Sequence, residues 1–213
     1  MKRVMLAALL MAATLAKGAQ AEEAPDTRGL YLQLIHQARG DGRPRAALAY
    51  LDDFERRYPG DAQARLLRVN SLIDLGQIDA AEAVALPAET RDGGVSAVRG
   101  HLLAARGRWA EAASCYGQAS RASPADPLLR NALGYALLRA GQAAAAIEAL
   151  RGASDLAPQM TIIRNNLLLA LIVGGRRAET EAGLRRLDGP LRQKLAAEAA
   201  RIEMDGSRRE ADR

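Results

Sequence analysis

The 213-residue sequence contains one cysteine, two histidines and only 3% aromatic residues. The single cysteine, Cys115, excludes an internal disulfide, so oxidation in an exported compartment cannot stabilise the fold. Its neighbours in the sequence supply no cation that would activate the thiol, which favours a packed cysteine over a reactive one. The sequence also lacks G-x-S-x-G, P-loop, H-E-x-x-H and C-x-x-C motifs. We therefore predict no catalytic residues, no cofactor and no bound metal.

An excess of charge is also lacking once the N-terminus is set aside. The formal net charge is +5, but Lys2, Arg3 and Lys17 precede the first acidic residue, and without them it falls to +2. The other basic residues alternate with acidic ones, which is typical of solvated helix faces and not of a phosphate-binding stripe. The sequence therefore predicts no nucleic-acid partner.

The N-terminus has the pattern of an export signal. Two basic residues precede an uncharged apolar run from Val4 to Ala16, and Ala19 and Ala21 then provide an A-x-A cleavage site. A short buried helix or a membrane anchor is the alternative, although the run is too short to cross a bilayer about 30 Å thick. No cysteine lies near the end of this run, so an acceptor for lipoprotein processing is lacking. We predict that residues 1–21 are a signal peptide and that the mature chain is periplasmic, without a membrane span.

The rest of the chain is predicted to be all-α and repetitive. Hydrophobic residues make up 49% of the sequence, and their excess of alanine and leucine suits closely packed helices. Identical residues recur 34 positions apart, as a helical repeat requires. The recurring pairs are Gly100 with Gly134, Gly107 with Gly141, Ala112 with Ala146, Ala119 with Ala153, and Pro124 with Pro158.

These residues resemble the tetratricopeptide repeat family, in which each unit has 34 positions. Leu133 and Gly134 occupy its positions 7 and 8, and Pro158 occupies position 32. The resemblance covers residues 28–194 and implies a right-handed solenoid of antiparallel helix pairs that holds another protein. About five units follow one another, of which the third and fourth are the clearest: residues 28–61, 62–92, 93–126, 127–160 and 161–194.

The physical basis of the repeat predicts its local structure. A glycine in the turn between paired helices supplies a backbone conformation that other residues resist. The turn glycines are Gly42, Gly76, Gly107, Gly141 and Gly175. Pro59, Pro124 and Pro158 are expected to end second helices, while Asp61 and Asp126 are expected to cap the next first helices. Pro87 is expected to interrupt the second helix of its repeat.

A final helix is predicted after the array. Apolar residues spaced three to four apart between Gly189 and Met204 indicate a helix that caps and solvates the end of the solenoid. The charged segment from Asp205 to Arg213 is expected to be disordered. Residues 195–213 would thus comprise the end of the capping helix and a tail.

By the same resemblance, one set of first-helix positions faces a partner-binding concave groove. An asparagine at position 5 of two successive repeats would hydrogen-bond the backbone of an extended peptide, beside aliphatic residues that receive its side chains. Two alternatives stay open, since the final helix could instead cover these aliphatic residues. The predicted groove residues are Leu128, Asn131, Tyr135, Leu138, Arg139, Ile162, Asn165, Leu169, Ile172 and Val173.

By the resemblance to the tetratricopeptide repeat, His36 and His101 both fall at position 9 of a first helix. Two layers of helix packing, at about 8–10 Å each, would separate them too far to share a metal with ligand bonds of about 2 Å. They are therefore predicted to be groove-lining polar residues or ordinary surface residues. Asn70 also stands at position 9, but no lysine accompanies it to form the basic clamp that binds a C-terminal carboxylate.

Within the repeat family, two segments are similar to the TadD-type proteins of Tad (Flp) pilus assembly. These are the residues 133–139, Leu-Gly-Tyr-Ala-Leu-Leu-Arg, and 164–167, Arg-Asn-Asn-Leu. This likeness implies an assembly factor that binds a component of the pilus machine, such as the outer-membrane secretin. A general scaffold for polysaccharide export or another envelope complex is the alternative, and a cell-wall enzyme is a third.

Overall fold

The computed structural model describes residues 26–88, 91–185 and 187–211, so the predicted signal peptide lies outside the described residues. Throughout these ranges the ordered elements are α-helices, and no strand is present, which confirms the all-α prediction. The helices are α1 (Thr27–Gly40), α2 (Pro44–Arg57), α3 (Ala62–Asp74), α4 (Ile78–Ala83), α5 (Gly94–Ala105), α6 (Trp109–Ala122), α7 (Pro127–Arg139), α8 (Ala143–Leu156), α9 (Thr161–Val173), α10 (Arg177–Leu184) and α11 (Gly189–Ala211).

Helices α1 to α10 form five consecutive pairs, one within each predicted repeat. Helix α7 packs against its partner α8 and also against α6 of the preceding pair, and the same pattern joins the other pairs. Each pair thus buries its apolar stripe against its neighbours, as a repeat that cannot form a core alone must do.

The turn inside each pair depends on a glycine. Gly42, Gly76, Gly107, Gly141 and Gly175 all have positive φ, between 68° and 84°. A residue with a Cβ atom rarely adopts this left-handed conformation because the Cβ crowds the following carbonyl oxygen. The predicted role of these glycines is confirmed.

The capping aspartates and the prolines act as predicted at the ends of the repeats. Asp61 accepts a hydrogen bond from the amide of Ala64 at 2.9 Å, and Asp126 accepts one from the amide of Leu128 at 2.8 Å. Both aspartates thereby satisfy amides in the first turn that lack an intrahelical partner. Helices α2, α6 and α8 each end two residues before a proline, because the residue that precedes proline disfavours the helical region.

Small residues allow the paired helices to approach closely. In α7, a Cβ placed on Gly134 would lie 2.4 Å from Cγ of Leu150 in α8 and 3.2 Å from the carbonyl oxygen of Ala146. Leu150 is itself fully buried. Only glycine at this position leaves room for that side chain.

Helix α4 is the shortest second helix, with six residues. It ends at Ala83, and Val84 already has an extended conformation with ψ 117°. Helix α4 thus ends before Pro87, in keeping with the expected interruption, and α3 also packs against α5.

Helix α11 differs from the sequence prediction in its length. It continues beyond Met204 to Ala211, so the expectation of disorder from Asp205 onward is corrected for the residues up to 211. Two side-chain contacts lie within the extension. The Asp205 carboxylate pairs with Arg139 of α7 at 3.3 Å, and the Ser207 hydroxyl donates to the Glu203 carbonyl oxygen one turn earlier at 3.1 Å.

Candidate functional site

One long groove crosses the array, and we call it the central groove. It encloses about 990 Å³ and is lined by all five first helices, by α6, and on one side by α11. The five predicted residues that line it are Asn131, Tyr135, Ile162, Asn165 and Leu169. Because first helices from five repeats meet there, side chains far apart in the sequence share one surface.

The middle of the central groove contains a neutral histidine. The His101 Nδ1 lies 2.8 Å from the side-chain oxygen Oδ1 of Asn70, so Nδ1 carries the proton and donates, while Nε2 keeps its lone pair. Burial lowers the pKa of His101 to about 4, and the charge of nearby Arg39 acts in the same direction. The ring packs against Tyr116, with centroids 5.5 Å apart. His101 therefore offers an uncharged acceptor at neutral pH.

Asparagines line the next section of the central groove. The side-chain amide Nδ2 of Asn166 in α9 donates to the side-chain oxygen Oδ1 of Asn131 in α7 at 2.9 Å. This bond leaves the amide of Asn131 and the carbonyl of Asn166 with further capacity, and Asn165 lies beside them in the groove wall. A peptide backbone, which carries donors and acceptors in alternation, matches such amides better than an anion does.

Helix α11 forms the C-terminal wall of the central groove. The Tyr135 phenol donates to the Glu198 carboxylate at 3.1 Å. Desolvation raises the pKa of Glu198, but hydrogen bonds from Arg201 and Tyr135 and the charge of Arg139 outweigh it, and the pKa lies below its ordinary value. Glu198 is therefore ionised at neutral pH and holds α11 to α7.

Arg139 lies beneath α11 between two aromatic rings. Its guanidinium carbon is 4.4 Å from the centroid of the Trp109 ring and 6.0 Å from that of Tyr135. Its Nη2 lies 3.3 Å from the Asp205 carboxylate, and its side chain is only 14% exposed. Arg139 thus joins α7 to α11 and does not line the groove.

The other predicted groove residues lie outside the lining. Leu138 is fully buried, and Ile172 and Val173 pack against the apolar cluster that contains Leu195, Ala199 and Ile202 of α11. Leu128 is 51% exposed but lies outside the groove. These four residues were predicted to line the groove, and that part of the prediction is corrected. Of the two alternatives, coverage by the final helix holds at the C-terminal end of the groove, and the rest of the groove is open.

Sequence reasoning missed several residues of the central groove. Trp109 belongs to a second helix, and Lys194 and Leu195 belong to α11. A repeat pattern assigns faces only within its own units, so it carries no signal for a helix that folds back from beyond the array. His36, the other predicted candidate, is exposed and lies with Gly42 and Pro44 in a separate hollow.

Two features are absent from the part of the chain that the structure describes. No group of three or more histidine, cysteine, aspartate or glutamate side chains there is arranged to hold a metal ion. No helix in that part combines the length and the apolar character that crossing a membrane requires. Cys115 is half-buried.

The comparisons with known proteins identify the repeat. The family model of the tetratricopeptide repeat (TPR) matches residues 32–94 and 98–161. No curated protein sequence matches the chain. A thermophilic TPR protein from Thermus thermophilus has 21% identity and a TM-score of 0.63, over 83% of this chain and 99% of that one. MamA from Desulfovibrio magneticus, residue 41 to the end, has 21% identity and a TM-score of 0.50, over 84% and 96%. At such identities the likeness concerns the fold alone.

Proposed function

The chain belongs to the tetratricopeptide repeat family, and on that premise we propose that it is a scaffold that holds a protein partner in the central groove and not an enzyme. The observation that carries the proposal is the lining of the groove. Amide side chains such as Asn131 and Asn165 lie beside Ile162, which is 55% exposed. This mixture of hydrogen-bonding groups and exposed apolar surface suits a peptide segment.

The proposed location is the periplasm, and the proposed partner belongs to a pilus machine. The basic and apolar N-terminus with its A-x-A site supports export. The segments 133–139 and 164–167, which resemble TadD-type proteins, support a role in assembling a Tad (Flp) pilus. The outer-membrane secretin is the component that we propose the protein binds.

The location is tested by sequencing the N-terminus of the protein purified from cells. A mature chain that begins at Glu22 in the periplasmic fraction is expected. A chain that begins at Met1, recovered with the cytoplasm, would contradict export.

The partner is tested by co-purification of the mature protein with secretin subunits. Ile162→Asp is the informative variant, because it places a charge on an exposed apolar residue of the central groove and leaves the core intact. We expect at least a tenfold loss of captured secretin. Leu138→Glu and Leu169→Glu are unsuitable for this test, because both leucines are buried and the variants would unfold.

The matched control is Leu156→Asp. Leu156 is 44% exposed and lies outside the groove lining, at the end of α8. Its variant should capture secretin as the wild type does. Equal losses in both variants would contradict groove binding, while capture of polysaccharide-export proteins in place of secretin would contradict the pilus assignment alone.

A further inference from the structure

Helix α11 occupies the C-terminal end of the central groove through a single stripe. Its buried residues are Leu195, Ala199 and Ile202, which are spaced four and three apart and so lie on one helix face. The residues between them are mostly exposed. The protein itself therefore shows that this part of the groove accepts an amphipathic helix.

The surface beneath this stripe is called the α11 seat. It belongs to α7 and α9, the helices of the array on which α11 packs. It combines an apolar cluster with one buried cation, Arg139. Its residues are Tyr135, Leu138, Arg139, Leu169, Ile172 and Val173.

The contacts that α11 makes with Arg139 are incomplete. The Glu198 carboxylate is 3.9 Å from Nη1, beyond the distance of a strong charge-assisted hydrogen bond. The Asp205 carboxylate reaches only Nη2, and the buried Nε of Arg139 has no hydrogen-bond partner among the described residues. A buried guanidinium normally has its donors satisfied, often by a bidentate carboxylate. Helix α11 thus fits the apolar part of its seat better than the cation.

We infer that the α11 seat is a binding site for a helix of the partner, which displaces α11. The partner helix carries apolar residues at i, i+4 and i+7, as α11 does, and beside them a carboxylate placed to pair with both Nε and Nη2 of Arg139. This partner helix makes as much apolar contact with the seat as α11 does, and its contact with Arg139 is more complete. The inference rests on the proposed protein-binding function and specifies a second contact besides the open part of the groove.

The test uses a synthetic peptide of residues 189–211 with a fluorescent label, added to the full mature chain. In the wild type, the tethered α11 competes with the peptide at high effective concentration. In the variant Glu198→Lys, a lysine faces Arg139 and weakens the tethered helix. Fluorescence anisotropy is expected to show at least tenfold tighter binding of the wild-type peptide to this variant than to the wild-type protein.

Glu203→Lys is the matched control, because Glu203 lies on the exposed side of α11 and its variant should bind the peptide as the wild type does. A peptide that itself carries Glu198→Lys should bind the Glu198→Lys protein at least tenfold more weakly than the wild-type peptide. Asp205→Lys provides a second opening variant, at the other carboxylate that contacts Arg139. Circular dichroism confirms that each variant is folded.

Equal binding of the peptide to the wild type and to both opening variants would overturn the inference, as would no binding to any of them. A wild-type chain that forms dimers at rising concentration would assign the seat to a second copy and overturn the partner assignment. The assay needs no secretin. Failed secretin capture together with successful peptide binding would therefore refute the pilus partner and leave the seat intact.

Discussion

Tyr135 and Glu198 are 63 residues apart in the sequence, and a hydrogen bond of 3.1 Å joins the phenol of the first to the carboxylate of the second. This bond connects α7, in the fourth repeat, to α11, which follows the fifth. It lies at the end of the central groove, where α11 forms the wall.

Replacing Tyr135 by phenylalanine should loosen α11. The ring and its contact with Trp109 remain, but the half-buried Glu198 carboxylate loses a donor, which lowers the free energy of unfolding by about 1 kcal/mol. Amides of α11 should exchange with solvent faster, as measured by mass spectrometry. Tyr50→Phe, at a tyrosine that is 39% exposed on α2, is the control. Unchanged exchange in α11 of Tyr135→Phe would contradict the role of the bond.

Two glycine-to-alanine variants should have opposite effects. Gly141 has φ +84° and Gly206 lies inside α11, and a Cβ on either would meet no atom within 4 Å. Gly141→Ala should destabilise the protein by about 1 kcal/mol, because of backbone strain alone. Gly206→Ala should stabilise α11 by up to about 1 kcal/mol. Urea unfolding measures both, and effects of the same sign would contradict this explanation.

Alanine at Gly134 should be destabilising for a different reason, namely the contact with Leu150. The added methyl group would lie 2.4 Å from Cγ of Leu150, and overpacking of this kind costs about 1–3 kcal/mol. In a double-mutant cycle with Leu150→Ala, the clash disappears. The cost of Gly134→Ala in that background should therefore be smaller, and a cost that is the same in both backgrounds would show that the two sites are independent.

The stability of the protein should depend on pH through His101. Its pKa is about 4 in the folded protein, against an ordinary value of 6.5, so the unfolded chain binds a proton first as the pH falls. The contribution of neutral His101 to the free energy of unfolding is complete above pH 6.5 and decreases as the pH falls toward 4. Between pH 7 and 4.5 the wild type should lose about 2 kcal/mol more than His101→Gln. Equal losses, measured by urea unfolding, would contradict a lowered pKa of His101 in the folded protein.

Local features of the array were predictable from the sequence because neighbouring residues determine them. A turn glycine such as Gly76 and a capping aspartate such as Asp61 act on the backbone within a few residues, and a 34-residue spacing shows where they recur. The short α4 was foreseen for the same reason, since Pro87 constrains the residues just before it.

Coverage of the groove by the final helix was one of two alternatives that the sequence left open, and the repeat pattern could not decide between them. The repeat pattern placed Leu138 and Arg139 on the partner-binding face, but Leu138 is buried in the apolar cluster that α8, α9 and α11 share, and Arg139 pairs with Asp205 of α11. Arg139 and Asp205 are 66 residues apart, and no regular spacing in the sequence relates them. The continuation of α11 past Met204 was not predicted either, because composition alone favours a disordered tail.

Because α4 has only six residues, we expect the second repeat to be the one least strongly coupled to its neighbours in the array. In a linear solenoid, each repeat is stabilised by its nearest neighbours, and the coupling between neighbours grows with the surface they share. A truncated helix shares less surface, so the two sides of this repeat can melt at different denaturant concentrations. Helices α1 to α3 should then behave as one folding unit and α5 to α11 as another, with the groove spanning the boundary between them.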